Sequence, residues 1–383
     1  MIVVTVNTGS TSVKLAAYDL SDRGGHKRIA EEHASEDTPG EARDERQRLG
    51  DFLARVGSTP DALAHRVVHG GTRFPQPTRI DESVLAEIRQ LSSLAPLHNP
   101  KALQWIEAAQ AVCDPHTVQI AAFDTSFFAT LPRVAAEYAL PAYVAAELGV
   151  RRYGFHGLAH EAMLTRWKQL RPDLPAGGRL ITLQLGGGCS ITALREGQPV
   201  DTSMGFSPLE GLVMETRCGD VDPAIVPYLQ QRLGNSGVPQ SSGQIIEWLN
   251  HKGGLAGMAG GSTDFRGLLA DSSPQSRFAV DLYCYRARKY IGAYLAVLGG
   301  CDGIVFGGGV GEHVPAVRAR ILTTLEWAGI QLDPGANAAA VGTEARISAP
   351  GGKIGVHVVP VDEEQVLTCA AAKLLNSREP KAS

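Results

Sequence analysis

Short runs of strand-forming residues alternate with longer segments of helical periodicity along the chain. The runs predict strands at Ile2–Val6, Val13–Tyr18, Leu63–Val68, Thr117–Phe123, Arg179–Leu185, Gly303–Phe306 and Ile354–Val359. The periodic segments predict helices at Glu82–Leu94, Ala102–Val112, Leu158–Leu170, Ala279–Leu298, Val317–Ala328 and Glu363–Leu375. Strands and helices in alternation indicate an α/β fold. The segment Ser21–Leu49 is charged and short of apolar residues, so we interpret it as a surface excursion outside the core.

One pattern occurs twice. An apolar strand, a turn of glycine and hydroxyl residues, and a second strand make up VVTVNTGSTSVKLAAYDL (Val3–Leu20) and again LITLQLGGGCSITALREG (Leu180–Gly197). A repeat of this size predicts two related α/β halves. Two unrelated glycine hairpins, which are common, would give the same pattern.

Composition and charge narrow the class of protein. The 383 residues suit two domains or one large α/β fold. A net charge of -4 and a pI near 6.3 give no basic surface for nucleic acid or an anionic membrane. The six cysteines include no CxxC pair, which fits neither a zinc site nor a disulfide framework. With no long apolar run and no signal-peptide pattern, we expect a soluble, cytoplasmic protein without a membrane partner.

Three glycine clusters follow predicted strands: NTGSTSVK (Asn7–Lys14), LGGGCS (Leu185–Ser190) and FGGGVGEH (Phe306–His313). Such turns direct several backbone N–H groups at one small volume and can bind anionic oxygens. The first cluster adds hydroxyl groups and the ammonium group of Lys14, although it is not a P-loop. Three such clusters favour phosphate binding over plain hairpin turns.

Further polar segments are rich in catalytic residue types: HRVVHGGTRF (His65–Phe74), APLHNP (Ala95–Pro100), FDTSFFATLP (Phe123–Pro132), RRYGFHG (Arg151–Gly157) and SMGFSPLEGLVMETRCGDVDPA (Ser203–Ala224). With them the chain resembles the acetate kinases of the acetate and sugar kinase/Hsp70/actin superfamily. The family motif N-x-G-S-[ST]-S-x-K corresponds to Asn7–Lys14, H-R-V-V-H-G-G to His65–Gly71, S-M-G-F-[TS]-P-L-E-G to Ser203–Gly211, and P-x-[ND]-E-E to Pro360–Glu364. The match runs from Val3 nearly to the C-terminus.

The resemblance implies a fold of two ribonuclease H-like domains with an interdomain cleft that holds ATP. The first domain would span residues 1–129, with the C-terminal helix 361–383 packing back on it. The second, nucleotide-binding domain would span residues 130–360. A homodimer is implied as well.

The implied activity is acetate kinase: reversible, Mg²⁺-dependent, in-line transfer of the ATP γ-phosphoryl group to acetate, giving acetyl phosphate and ADP. Mn²⁺ is an alternative ion, and ATP/ADP is the co-substrate. The acceptor is already an anion at neutral pH, so no strong base is needed. The task is to bring two anions together and to stabilise charge in the transition state.

The resemblance also assigns residues. Catalytic roles fall to Asp124, which would orient a Mg²⁺-bound water, and to His156 and Arg217, which would bind the phosphoryl group in transfer. Arg66 would hold the acyl carboxylate. The remaining substrate residues are Val68, Leu97, His98, Phe155 and Pro208. The metal residues are Asn7 and Glu363. The phosphate and nucleotide residues are Lys14, Ser10, Ser12, Gln184, Leu185, Gly186, Gly187, Gly188, Asp264, Phe265, Arg266, Gly309, Val310, Gly311, Glu312 and His313.

Some of these residues have a structural alternative. Asp124 could be a turn or cap residue and His98 a turn residue. Glu363 starts a predicted helix, where the helix dipole alone favours an acid. Arg66 is harder to explain without a site, because an unpaired cation in an apolar run is costly.

The chain departs from the family pattern near the phosphates. Gln184 and Gly187 stand where the family has histidine and asparagine, and Glu215 replaces a glycine two residues before Arg217. Phe128 replaces a histidine of the family, Leu158 and Ala159 replace Thr-Ser, and His313 replaces an asparagine. These changes leave the nucleotide, the rate and the preferred acid open. Two alternatives therefore remain: a kinase for propionate or another short-chain acid, and a non-catalytic nucleotide-dependent binding protein of the Hsp70/actin type.

Overall fold

The computed structural model describes residues 1–9, 12–21, 26–35, 44–233, 241–261 and 264–377. Two six-stranded sheets lie within these residues. The strands of the first are β1 (Ile2–Thr8), β2 (Ser12–Asp19), β3 (Lys27–Ser35), β4 (Ala62–Val67), β5 (Thr78–Arg79) and β6 (Val118–Phe123). The strands of the second are β7 (Arg179–Leu185), β8 (Cys189–Arg195), β9 (Gln198–Thr202), β10 (Gly303–Gly307), β11 (Ala345–Arg346) and β12 (Gly355–Val358).

The described helices are numbered in chain order. They are α1 (Glu45–Val56), α2 (Glu82–Leu91), α3 (Asn99–Val112), α4 (Arg133–Ala136), α5 (Ala142–Leu148), α6 (Gly157–Leu170), α7 (Ile225–Leu233), α8 (Ser242–His251), α9 (Gly254–Met258), α10 (Phe265–Ala270), α11 (Pro274–Leu298), α12 (Gly308–His313), α13 (Pro315–Leu322), α14 (Pro334–Ala339) and α15 (Glu363–Asn376). Short 3-10 helices lie at Asp124–Phe128, Pro175–Gly177 and Glu326–Ala328. No described helix is long and apolar enough to cross a membrane.

The two sheets have the same strand order. The first reads β3-β2-β1-β4-β6-β5, and the second read from its other end is β9-β8-β7-β10-β12-β11. In both, the glycine hairpin is antiparallel and the next two strands are parallel to the first strand of that hairpin. The predicted α/β fold with two related halves is therefore confirmed.

Contacts along the chain separate two compact units. Unit 1 comprises Met1–Ala129, Phe155–Ala162 and Asp362–Ser383 and contains the first sheet. Unit 2 comprises Thr130–Gly154 and Met163–Val361 and contains the second sheet. The segment Phe155–Ala162, which the sequence analysis assigned to the second domain, lies in unit 1.

Helices cover both faces of the first sheet. Alternate residues of a strand point to opposite faces, so Val4 and Val6 pack with Leu49 and Phe52 of α1 and Trp105 of α3. On the opposite face lie Val3, Ala62, Ala64, Ile120, Ala122, Leu158, Leu367 and Ala371. The second set fixes the first turn of α6 and all of α15 on the sheet. This packing determines where the N-terminal acids of α15 lie.

Three local predictions differ from the structure. Lys27–Ser35 is not an excursion, because it forms strand β3 along β2, and α1 buries Leu49 and Phe52. Charged residues are usual on an edge strand, whose stability comes from backbone pairing more than from side-chain burial. The predicted helix Val317–Ala328 is broken, since α13 ends at Leu322 and Thr324 has a left-handed φ of 69°. The third glycine cluster also differs from the prediction, as it forms the short helix α12 itself.

Candidate functional site

A charged cluster lies at one edge of the first sheet. Strands β1, β4 and β6 are parallel neighbours, so their carboxyl ends meet at this edge. They carry Asn7, Arg66 and, directly after β6, Asp124. The first turn of α15 adds Glu363 and Glu364. Ligands of α/β sheets bind outside the carboxyl ends of the strands, which makes this edge the candidate site of unit 1.

Arg66 is the centre of the cluster. Its Nη2 donates to Asp124 Oδ2 at 2.8 Å and its Nε to Asp124 Oδ1 at 3.2 Å. Its Nη1 donates to Asn7 Oδ1 at 3.1 Å and to Glu363 Oε2 at 3.2 Å. Burial alone would lower the pKa of Arg66, but Asp124 and Glu363 outweigh burial and raise it. The arginine is therefore a fully charged, ion-paired group, which explains how the apolar run accommodates it.

Lys14 belongs to the same cluster. Its Nζ lies 3.0 Å from Glu364 Oε2 and 3.1 Å from Glu31 Oε1. Burial lowers the pKa of Lys14 and the two carboxylates more than offset it, so the pKa is raised overall. The ammonium group of Lys14, which was predicted to contact phosphate, is therefore ion-paired with two carboxylates. Of the neighbouring predicted residues, Ser12 accepts from Gly9 N at 2.8 Å through its carbonyl, and Ser10 lies outside the described residues.

The cluster has an excess of negative charge. Four carboxylates face three cations, which leaves one negative charge uncompensated; the carboxylates are those of Asp124, Glu363, Glu364 and Glu31, and the cations are Arg66, Lys14 and Arg28. Burial raises the pKa of Glu363, Arg66 opposes this, and Asp124 adds to it. A further cation would relieve the repulsion.

The oxygen atoms of this cluster that could ligate a metal fit a hard divalent ion. They belong to carboxylate and amide groups, which Mg²⁺ prefers. Among the residues that the structure describes, no three His, Cys, Asp or Glu side chains converge as a complete metal site. Mg²⁺ is usually held by one or two carboxylates together with water and substrate phosphates, so an incomplete protein shell is what this ion requires.

Asp124 is held in place by the segment after Tyr153. It is fully buried at the start of a 3-10 helix. A Cβ on Gly157 would lie 1.9 Å from the Asp124 carbonyl oxygen, so only glycine fits there. His156, beside it, has a left-handed φ of 58°, a conformation that costs an L-residue about 1–2 kcal/mol. The motif GFHG is therefore built to bring the His156 segment against Asp124.

Asn99 is a residue that sequence reasoning missed. It is fully buried, its Nδ2 donates to His69 O at 2.9 Å, and His69 N donates to its Oδ1 at 3.0 Å. It ties the loop after β4 to the start of α3. The only signal in the sequence was an Asn-Pro step, which equally marks a turn. Gly70 N donates to Thr125 Oγ1 at 2.9 Å and ties the same loop to the Asp124 segment.

The predicted acyl-pocket residues of unit 1 are placed unequally. Val68 and Phe155 are buried, at 6% and 1% exposure, and the Phe155 ring lies 5.5 Å from the His69 ring. Leu97, in contrast, is 43% exposed. His98 is the N-cap residue of α3 without a side-chain capping bond. Val68 and Phe155 therefore remain the better candidates for an apolar lining.

The glycine turn of unit 2 joins β7 to β8. Gly186 N donates to Gly188 O at 3.1 Å, and Gly187 is exposed at the tip. Gln184 precedes the turn and pairs with Gly307, so the loop after β7 and the third glycine cluster after β10 lie side by side. Within the described ranges the Gln184 Oε1 is buried and finds no hydrogen-bond partner. A buried amide oxygen without a partner fits a ligand or water site at this position.

Arg217 contrasts with Arg66. Its Nη1 donates to the Pro208 carbonyl at 3.1 Å, and no described carboxylate lies within ion-pair distance. Burial lowers the pKa of Arg217 and outweighs the opposing effect of Cys189. The backbone around it is fixed, since Met214 N donates to Arg217 O at 3.1 Å and Leu255 N of α9 donates to Met214 O at 3.0 Å. A desolvated guanidinium held in this way is prepared for an anion.

Several predicted nucleotide residues have structural roles. Asp264 caps α10 by accepting from Arg266 N and Gly267 N, and Phe265 packs its buried ring on Tyr283 at 4.9 Å. Glu312 Oε1 accepts from Gly308 N at 2.9 Å and from Val361 N at 3.1 Å. The surfaces left for a ligand belong to Arg266, Gly309 and His313, which are exposed.

The carbonyl groups of α12 are satisfied by Arg318, which is fully buried and donates to the carbonyls of Gly311 and Glu312. Val310 is half-buried and Leu185 fully buried in β7. These contacts keep the third glycine cluster in a fixed conformation.

The chain is similar to known proteins along most of its length. The acetokinase family model matches residues 47–369, which include Arg66, Asp124, Arg217 and Glu363. An acetate kinase of Heliobacterium modesticaldum is 45% identical over 319 residues, covering 82% of this chain and 78% of that protein. The crystal structure of Porphyromonas gingivalis acetate kinase matches with a TM-score of 0.85 at 32% identity and covers 98% of this chain and all of its own. A propionate kinase from Francisella tularensis matches with a TM-score of 0.83 at 30% identity and covers 96% and 98%.

Proposed function

Because the chain belongs to the acetokinase family, we propose that it transfers the γ-phosphoryl group of ATP reversibly to acetate, giving acetyl phosphate and ADP. The observation that carries the proposal is the contrast between its two site arginines. Arg66 is ion-paired with Asp124 and Glu363, whereas Arg217 is desolvated and has no described carboxylate partner. One group is suited to an acceptor site and the other to a phosphoryl group.

Unit 1 supplies the acceptor residues in this proposal. Arg66 binds the acyl carboxylate. Asp124 holds the guanidinium group in position by accepting hydrogen bonds from Nε and Nη2 of Arg66. Since the acid is already ionised, no residue has to remove a proton from it. A role for Asp124 in orienting a metal-bound water is compatible with the same position.

The metal residues proposed are Asn7 and Glu363. Their oxygens now accept from Arg66 Nη1, at 3.1 and 3.2 Å. Mg²⁺, or Mn²⁺ in its place, would supply positive charge to the phosphate oxygens when bound. Lys14, paired here with Glu364, is close enough to the same residues to join in neutralising that charge.

Unit 2 supplies the phosphate residues. Arg217 stabilises the negative charge that spreads over the equatorial oxygens during transfer, a role worth about 10³–10⁵ in kcat for arginines that act in this way. The glycine turn Gly186–Gly188 binds the preceding phosphates through backbone N–H groups. His156 of unit 1 is proposed to donate to the transferred group as well.

Propionate is the second candidate acceptor. A solved propionate kinase is among the similar structures at full length. An apolar pocket distinguishes acids by only about 1–3 kcal/mol per methylene, so we expect activity with both acids and a preference set by the lining around Val68 and Phe155. A homodimeric assembly is part of the proposal and is testable by sedimentation.

Trapping with hydroxylamine tests the proposal. The chain is incubated with ATP, Mg²⁺ and acetate, propionate or butyrate, and the acyl hydroxamate is measured. We expect product with acetate, and its near-complete loss in Arg217→Ala. The matched control is Arg195→Ala, which removes an exposed arginine of the same unit. Absence of product with every acid at saturating ATP would overturn the proposal in favour of a nucleotide-binding protein without transfer.

A further inference from the structure

Glu215 lies against the glycine turn of unit 2. A Cβ built on Gly187 would be 2.7 Å from Glu215 Oε2, and Glu215 N donates to Gly187 O at 3.0 Å. Among the described residues no cation forms an ion pair with this half-buried carboxylate. The carboxylate therefore occupies the volume that a side chain at position 187 would need.

The charge of Glu215 affects the pKa of Cys189, the residue that follows the same turn. Burial raises the pKa of Cys189, the residue after the turn, and Glu215 raises it further while Arg217 lowers it. Both charges are thus close to the foot of the turn. Backbone N–H groups on this turn form the proposed phosphate site, so an anion of the protein lies where anionic oxygens have to approach.

We propose that Glu215 is a specificity-determining residue that weakens nucleotide binding, because its carboxylate competes with donor phosphates for the turn at Gly187. The inference rests on the proposed function. Like charges a few Å apart repel, so the phosphates must displace or swing away this carboxylate before they reach the turn. The result is a high KM for ATP and rapid release of ADP, without an effect on the acceptor acid.

The pair also explains two departures from the family pattern together. The family has asparagine where Gly187 stands and glycine where Glu215 stands. At 2.7 Å, a side chain at position 187 would force the Glu215 carboxylate, the far end of a flexible side chain, to swing away from its present place. The exchange therefore replaces a neutral amide at the phosphates by a carboxylate that enters from the neighbouring loop.

Calorimetric titration with MgADP tests the inference independently of turnover. Glu215→Gln keeps the shape and removes the charge, so we expect the Kd for ADP to fall about tenfold at low ionic strength and less at high salt. The KM for acetate should not change. The control is Glu326→Gln, which removes an exposed carboxylate elsewhere in unit 2.

A double-mutant cycle tests the steric part. We expect Gly187→Asn to weaken ADP binding by itself, and to be tolerated or beneficial when combined with Glu215→Gly, so that the effects are not additive. Thermal unfolding of each variant checks that the fold is retained.

The outcomes separate the two proposals. An unchanged or weaker affinity in Glu215→Gln, or additive effects in the cycle, would overturn this inference and leave the kinase activity standing. A weaker affinity would identify Glu215 instead as a ligand of the nucleotide-bound cation. Failure of every variant and of the wild type to bind ADP would overturn the proposed function, and this inference with it.

Discussion

Replacing Gly157 by alanine should disable the site with little change in its chemistry. The added Cβ would lie 1.9 Å from the Asp124 carbonyl oxygen and 2.8 Å from the Cβ of Phe127. Real Cβ contacts of this kind are longer than 3.0 Å, so the two segments must separate by roughly 1 Å. The backbone of Asp124 is one of the two that must move.

The expected magnitude follows from the contacts of Asp124. Its bonds to Arg66, at 2.8 to 3.3 Å, cannot all survive such a shift. Displacement of a positioned group by about 1 Å costs on the order of 100-fold in rate, or about 2.7 kcal/mol. Overpacking should lower the free energy of unfolding by about 1–3 kcal/mol.

The assay is acyl hydroxamate formation with acetate, together with urea unfolding. The matched control is Gly50→Ala, in the middle of α1 of the same unit, where a Cβ meets nothing within 4 Å. That control should gain about 0.5–1 kcal/mol of stability and keep full activity. Wild-type kcat/KM in Gly157→Ala would refute the reasoning that the GFHG segment positions Asp124.

Three further predictions concern charge. Arg66→Ala leaves Asp124 and Glu363 buried without their cation, so the free energy of unfolding in urea should fall by about 3–5 kcal/mol. Arg217→Ala should lose turnover with a nearly unchanged free energy of unfolding. Equal losses of stability in the two variants would contradict the difference in ion pairing between the two arginines. Stability should fall as the pH drops from about 6.5 towards 4, by up to about 1.4 kcal/mol per pH unit for each buried histidine. The sign follows because burial lowers the folded-state pKa below the unfolded value of about 6.5, so the unfolded chain binds more protons in that window; flat stability from pH 7 to 5 would be inconsistent. The histidines are His65, His69 and His357, with a pKa of about 4, and His160, with a pKa of about 3. Mg²⁺ should raise the Tm of the wild type and much less that of Glu363→Gln, and an equal shift in both would remove Glu363 from the metal site.

The strands that could be predicted are those whose own residues have a clear strand-forming pattern. β1 and β7 are runs of β-branched and apolar residues that end at glycine turns, β2 is such a run that follows the first of these turns, and β7 was predicted with its observed bounds. β3 was missed because its residues are mostly charged and only the small Ala30 and Ala34 pack on the core, so the strand is recognisable chiefly from its pairing with β2.

For the site, too, the residue types could be predicted but their contacts could not. The residue types of Asn7, Arg66, Asp124 and Arg217 were identified from their motifs. The sequence did not indicate that Lys14 is paired with Glu364, or that Arg66 is paired with both Asp124 and Glu363. Those contacts depend on α15 packing against the first sheet, which brings together residues as far apart as Asn7 and Glu363, 356 positions along the chain.

The doubled α/β plan, the glycine turns and the types of charged group could be predicted from the sequence, because these are properties of short segments. Which charges neutralise one another, why Gly157 has to be glycine, and that the Glu215 carboxylate lies against Gly187 became visible only in the folded chain. Burial and pairing are the reason, since the state of a charged group depends on the neighbours that distant segments bring to it.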